Sequence, residues 1–83
     1  MTRIAKLYAR FAADPRGRPF RDFERLVRAF GFVELRQRGS HRCFRHPARS
    51  DLLVIQPRGA DAKDYQVREF LDMVRESGLE PEE

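Results

Sequence analysis

The sequence is poor in cysteine and lacks long apolar runs. Its one cysteine, Cys43, has no partner for an intramolecular disulfide, so we expect a reducing compartment and a cytoplasmic location. No apolar stretch approaches the length of a signal-peptide core or a membrane span, which leads us to expect a soluble protein with no membrane partner. The 83 residues leave room for one hydrophobic core, and we expect residues 1–83 to form a single domain.

Acidic residues are scarce in the first part of the chain. Residues 1–50 hold thirteen Arg or Lys and four Asp or Glu, a net charge of +9, whereas residues 51–83 hold four and nine, a net charge of −5. Fifteen of the seventeen basic residues are arginine, whose planar guanidinium suits phosphate recognition and base stacking. Nucleic acid is therefore the first partner to consider, with a merely solvated basic surface as the alternative.

Two amphipathic helices are predicted in the first thirty residues. Apolar residues recur at helical spacing from Ile4 to Phe11, with basic residues on another face, and the segment 14–17 has the composition of a turn. A second apolar stripe predicts a helix from Pro19 to Phe30, with Gly31 as its C-cap. We expect residues 1–13 to be an extra basic helix and residues 19–79 to be the core of the domain.

Three strands and a final helix follow. Residues 32–37 and 40–46 read as strands joined by a tight turn at Gly39, and residues 52–56 as a third strand. The last helix has Asp61 or Asp64 available as N-cap and ends before Gly78. The predicted order is α-α-β-β-β-α, an α+β fold in which the second and third helices cover one face of an antiparallel meander and leave the other open. This is the layout of the double-stranded RNA-binding domain.

His41 is the best candidate for acid–base chemistry. Histidine is the side chain that titrates nearest neutral pH, so a neutral imidazole at this position could accept a proton from a hydroxyl group. The neighbouring arginines at 38, 42 and 45 could stabilise charge that develops on a phosphate. This combination suits RNA cleavage by the 2′-hydroxyl of the RNA itself. The competing interpretation is a strand-edge histidine that only forms local hydrogen bonds.

A metal site is not favoured by the sequence. His41, Cys43, His46 and Asp51 lie close together along the chain, but strand alternation sends His41 and Cys43 to one face and His46 to the other. We therefore expect no metal and no cofactor. The residues alone leave open whether Cys43 or Phe44 faces the core. If Phe44 is inside, His41 and Arg45 share the open face.

The segment 39–47, which reads Gly-Ser-His-Arg-Cys-Phe-Arg-His-Pro, resembles the HicA toxins of bacterial toxin–antitoxin systems, as do the flanking segments 23–32 and 65–71. The similarity extends over about residues 20–79. It implies a fold like that of the double-stranded RNA-binding domain, metal-independent ribonuclease activity on mRNA, and a HicB-like antitoxin partner. The catalytic histidine of the Gly-Ser-His motif corresponds to His41. The chain departs from short family members in its helix at 3–13 and in Arg42, where a second histidine is common.

These observations predict a toxin endoribonuclease in which His41 is the general base and RNA phosphates are bound by Arg38, Ser40, Arg42 and Arg45. We expect a monomer when the protein is alone and a heteromer with the antitoxin. The alternative is a non-catalytic module that binds double-stranded RNA through the same basic face. A third possibility is a protein-interaction domain whose arginines contact an acidic partner.

Overall fold

The computed structural model describes residues 2–82 and confirms the predicted α+β order. Three helices lie within this range: α1 (Arg3–Ala13), α2 (Phe20–Ala29) and α3 (Asp64–Ser77). The antiparallel sheet has the order β1-β2-β3 and consists of β1 (Val33–Arg38), β2 (His41–Arg45) and β3 (Leu53–Ile55). A small second hairpin precedes α3 and consists of β4 (Pro57–Arg58) and β5 (Asp61–Ala62). The arrangement is consistent with a fold like that of the double-stranded RNA-binding domain. Within residues 2–82, no helix is both long enough and apolar enough to span a bilayer.

The first helix is held at both ends by side chains. The Thr2 hydroxyl accepts a hydrogen bond from the Ala5 amide at 3.1 Å and caps the N-terminus. At the other end, the Arg18 guanidinium donates to the carbonyls of Arg10 and Asp14, each at 2.7 Å. A cation at this position complements the helix dipole. It gives the Asp14 carbonyl a donor and adds a second donor to the Arg10 carbonyl, which also accepts from the Asp14 amide at 3.2 Å. The Arg18 contacts and the burial of Leu7 and Phe11 hold α1 against the rest of the domain.

One face of the sheet packs against α2 and α3. Phe44, Leu53 and Ile55 are completely buried on this face, and they belong to the same core cluster as Val67 of α3. Phe70 of α3 contacts the aromatic rings that flank it, with centroid distances of 5.8, 5.5 and 5.7 Å to Phe23, Phe30 and Phe32. Edge-to-face and tilted ring pairs of this kind stabilise a core beyond the burial of their area. The other face of the sheet is left uncovered.

The start of the last helix differs from the prediction. Its N-cap is Lys63, not Asp61 or Asp64, and Asp61 instead lies in β5 opposite Arg58. The small hairpin is pinned to the segment before α2, because the Phe20 amide donates to the Ala60 carbonyl at 2.9 Å and the Ala62 amide to the Arg18 carbonyl at 2.7 Å. These contacts between distant segments extend the chain through residue 62, so the helix begins only at Asp64.

Arg49 connects the loop after β2 to the end of α3. Its guanidinium donates two hydrogen bonds of 2.8 Å to the carboxylate of Asp51, and others to the Glu76 carboxylate at 3.1 Å and the Ser77 hydroxyl at 2.9 Å. The Arg49 side chain is only 16% exposed. The hydrogen bonds from Arg49 lower the pKa of the Asp51 carboxyl, while those to Asp51 raise the pKa of the guanidinium. The network anchors a loop that has little apolar surface of its own.

Replacing Phe44 with alanine should cost about 3–5 kcal/mol of unfolding free energy, because the substitution empties a fully buried aromatic position. Cys43→Ala is the matched control on the adjacent residue of the same strand. It removes a single sulfur atom outside the main core cluster, so its loss should be several-fold smaller. Urea unfolding of the three proteins measures both values. Equal losses for the two variants would contradict this assignment of strand faces.

Arg49→Gln should lower the melting temperature at neutral pH. The pKa of Asp51 is lowered in the folded protein by its hydrogen bonds to Arg49. The pair therefore contributes its full stabilisation above the ordinary aspartate pKa of about 3.9. This stabilisation is lost as the pH falls through the lowered pKa. The gap in melting temperature between wild type and variant should therefore shrink below about pH 4. Thermal melts at a series of pH values measure it, and a gap independent of pH would contradict the role given to Asp51.

Candidate functional site

The burial of Phe44 decides which side chains of β2 face outward. Phe44 is 0% exposed and lies in the core, whereas Cys43 is outside the core cluster. Side chains alternate along a strand, so His41, Cys43 and Arg45 share the uncovered face of the sheet. The sequence left open whether Cys43 or Phe44 faces the core, and in the structure it is Phe44. His41 and Arg45 are both exposed on this face.

A β-bulge in β1 places two further arginines beside His41. Glu34 pairs with Phe44, but the next registered pair is Arg36 with Cys43, so Leu35 is an extra residue that has no partner. From this point Arg36 lies opposite Cys43 and Arg38 lies opposite His41, on the uncovered face. A regular strand would have turned both arginines toward the helices. The bulge therefore determines the charge around His41.

The arginines of the two faces differ in their partners. On the helix side, Arg28 donates to Glu34 at 2.8 Å and to Glu24 at 3.1 Å, and its pKa is raised chiefly by the hydrogen bond to Glu34. In the described part of the chain, six arginines form ion pairs. The arginines of the uncovered face, which are Arg36, Arg38 and Arg45, are not among these six. Positive charge on the uncovered face is thus not neutralised by neighbouring carboxylates, which favours an anionic ligand there.

A shallow cleft of about 200 Å³ lies at the centre of this face. Cys43, which is 6% exposed, is surrounded by charged and apolar side chains from all three strands. The lining residues are Arg36, Arg38, His41, Cys43, Leu52 and Val54. Leu52 and Val54 are 43% and 38% exposed, so one side of the cleft is apolar and the other is basic. This is the surface on which a ligand of mixed character would contact His41.

Two predicted RNA ligands lie elsewhere. Arg42 faces the helices, where its guanidinium donates to the Glu24 carboxylate and lies 6.0 Å from the Phe20 ring. Ser40 lies in the turn between β1 and β2 and, with Arg42, lines a separate cavity of about 440 Å³. The other walls of that cavity come from Gln37 of β1, the beginning of α2 and the β4–β5 hairpin. The structure brings Arg38, His41 and Arg45 to one face and does not bring Ser40 or Arg42 to it.

His46 is committed to the turn after β2. Its Nδ1 accepts a hydrogen bond from the Ala48 amide at 3.0 Å, and its ring stands edge-on to Phe32 with a centroid distance of 5.3 Å. Gly31 has a φ of +90°, and a Cβ at this position would lie 3.0 Å from Nε2 of His46. Of the two histidines, only His46 forms a side-chain hydrogen bond within residues 2–82. The imidazole of His41 therefore keeps both nitrogens available to a ligand.

Arg36 is the site residue that sequence reasoning missed. Arg36 and Arg38 are two residues apart, and this spacing alone indicates that both lie on the same face of a strand. What the spacing does not indicate is which face, because that depends on the bulge at Leu35.

As to metals, the described residues contain no group of three or more His, Cys, Asp or Glu side chains arranged to hold an ion.

Glu24 and Arg42 should be energetically coupled. Both are mostly buried at the edge of the core, with side-chain exposures of 20% and 29%, so removing one leaves the other poorly compensated. We expect Glu24→Gln and Arg42→Gln each to lower stability, and the double variant to lose about 1 kcal/mol less than the sum. Urea unfolding of the wild type, the two single variants and the double variant gives the coupling energy. Losses of unfolding free energy that simply add would contradict a direct interaction.

Comparisons with known proteins give one match. Residues 20–79 match the family model described as the HicA toxin of bacterial toxin–antitoxin systems. Searches of curated proteins and of solved structures found no match. The matched range contains α2, all the strands and α3 and leaves out α1. Because the match covers well over half of the chain, including the whole sheet and its uncovered basic face, this protein belongs to the HicA family of toxins.

Proposed function

We propose that this toxin is an endoribonuclease that cleaves mRNA without a metal ion, using His41 as general base. The observation that carries the proposal is the position of His41. Its imidazole is exposed, has no hydrogen-bond partner within residues 2–82, and lies directly opposite Arg38 on the face whose arginines are unpaired. Family membership supports the toxin role, and the residues around His41 supply the groups that RNA cleavage requires. We place this activity in the cytoplasm, where mRNA is available.

The proposed reaction needs one proton acceptor and one group that stabilises negative charge. The neutral imidazole of His41 takes the proton of a ribose 2′-hydroxyl, and the oxygen attacks the adjacent phosphorus. The bond from phosphorus to the 5′-oxygen breaks, and that oxygen takes a proton from water. The proton that His41 has taken up replaces it, which returns the imidazole to its neutral form. The products are a 2′,3′-cyclic phosphate and a 5′-hydroxyl. His46 is unsuited to protonate the leaving group because it is held at the turn by Ala48 and Phe32.

The two arginines of the predicted set that share this face have different roles. Cα atoms of directly paired residues in an antiparallel sheet are about 4.5–5.5 Å apart, so the guanidinium of Arg38 can reach the phosphate that His41 activates. Arg45 is four residues further along β2, roughly 13 Å away at the usual rise per residue. We therefore assign Arg38 to the reacting phosphate and Arg45 to another phosphate of the same strand. We assign Ser40 and Arg42 no contact with the reacting phosphate.

A HicB-like antitoxin is the proposed protein partner. The uncovered face combines unpaired arginines with exposed apolar side chains, namely Val33, Leu35, Leu52 and Val54. An antitoxin that presents carboxylates and apolar side chains would complement this surface and block access to His41. Such a complex would inhibit the toxin by occupying the same face as RNA.

The alternative function is a non-catalytic module that binds double-stranded RNA. It is favoured by the element order α-α-β-β-β-α, which is consistent with the fold of the double-stranded RNA-binding domain. This alternative predicts binding of duplex RNA that weakens steeply with salt and no strand cleavage. The variants below separate the two functions.

His41→Gln should reduce RNA cleavage in EDTA by at least about 100-fold, because it removes the proposed base, and should leave the melting temperature unchanged because His41 is exposed. His46→Gln is the matched control. It should lower the melting temperature and retain cleavage, since His46 packs on Phe32. Gel analysis of a labelled RNA measures cleavage, and growth arrest on expression should follow the same order. Equal cleavage by wild type and His41→Gln would overturn the assignment.

A further inference from the structure

The cleft beside His41 contains a row of three residues that the proposed chemistry does not use. Arg36 of β1 pairs with Cys43 of β2, and Cys43 pairs with Val54 of β3. Cross-strand partners point to the same side of a sheet, so these residues form a line across the uncovered face. The line is one alternation, or about 7 Å, from the pair formed by Arg38 and His41. A group bound on this row would be next to the reacting phosphate.

The row combines three features that suit a nucleobase. Val54 and Leu52 provide an apolar wall, Cys43 provides a nearly buried floor, and Arg36 provides a planar cation without an ion-pair partner among the described residues. Arg guanidinium groups stack on bases and bind phosphates, and apolar side chains contact base faces. Phosphate binding alone would explain the arginine but not the apolar wall.

The size of the cleft limits what it accepts. Its volume of about 200 Å³ is below the roughly 300–1,000 Å³ of sites that enclose a drug-sized molecule, so it accommodates one planar ring system. In an A-form duplex the bases are stacked and paired, and their faces are inaccessible to such a cleft. Only an unpaired base can turn into it.

We propose that Arg36, Cys43 and Val54 form a subsite for one unpaired base next to the scissile phosphate, so that the toxin selects single-stranded RNA. This proposal rests on the proposed function for the position of the reacting phosphate. The guanidinium of Arg36 stacks on one face of the base, and Val54 and Leu52 contact the other face. The fold is consistent with a duplex-binding domain, yet the uncovered face of this chain is built for a single strand.

Binding to a cleavage-deficient protein tests the subsite separately from catalysis. In the His41→Ala background, fluorescence anisotropy at fixed salt would compare a short RNA strand with the same strand annealed to its complement. We expect the single strand to bind at least about tenfold more tightly, since stacking on one base contributes about 1–3 kcal/mol. Equal binding or a preference for the duplex would overturn the proposal.

Substitutions in the same background separate stacking from charge. Arg36→Gln and Arg36→Lys should both weaken single-strand binding about tenfold, because lysine keeps the charge and loses the planar group. Val54→Thr, which keeps the shape of the side chain, should weaken it several-fold. Arg75→Gln removes one exposed positive charge from α3, away from the sheet, and should have less than about a twofold effect. Wild-type affinity in Arg36→Lys, or equal losses of affinity in Arg36→Gln and Arg75→Gln, would show that Arg36 contributes only its positive charge. Either result would overturn the subsite.

Cleavage by the wild-type protein distinguishes the two proposals. If wild type does not cleave RNA but the His41→Ala variants show the expected binding pattern, the proposed function fails and the base subsite stands. If wild type cleaves and the Arg36 and Val54 substitutions change neither binding nor cleavage, the function stands and the subsite fails.

Discussion

The burial of Phe44 is the constraint on which the rest of the site depends. Its ring is completely buried under α2, with the guanidinium of Arg28 5.1 Å from the ring centroid. Because strand side chains alternate, this one burial turns His41, Cys43 and Arg45 to the opposite face. Slipping β2 by one residue would bury His41 beneath the helices and expose a phenylalanine, so the hydrophobic core fixes the position of the candidate base.

Charge pairing reinforces the division between the two faces. The helix side of the sheet carries both arginines and carboxylates, and Arg28 and Arg42 are bound there by Glu24 and Glu34. The acidic residues of the second half of the chain act similarly on Arg49, through Asp51 and Glu76. The ion pairs of these three arginines therefore link different elements of the fold. The three arginines that share the face of His41 form no ion pair within residues 2–82. A net charge of +4 understates the local charge available to an RNA.

Several features could be predicted from residues that act locally. The apolar stripes of all three helices, the glycine at 31 and the turn at Gly39 place the elements within one or two residues of their observed limits. The proposal that His41 is the base also rests on sequence, through its arginine neighbours and the resemblance of its Gly-Ser-His motif to that of the HicA toxins. The β4–β5 hairpin and the N-cap of α3 could not be predicted, because the hairpin is held by hydrogen bonds to residues 18 and 20, some forty residues earlier in the chain. The bulge at Leu35 likewise has no local signal.

By itself, the sequence determined the order of the elements, the basic character of the first fifty residues and the histidine that could transfer a proton. Helical periodicity and turn chemistry depend on neighbouring residues, so they can be read along the chain. The tertiary structure decided which arginines face His41. It excluded Arg42, which pairs with Glu24 at the edge of the core, and it added Arg36 through the bulge. Both outcomes depend on strand register and long-range ion pairing, and these are fixed only when distant segments pack together.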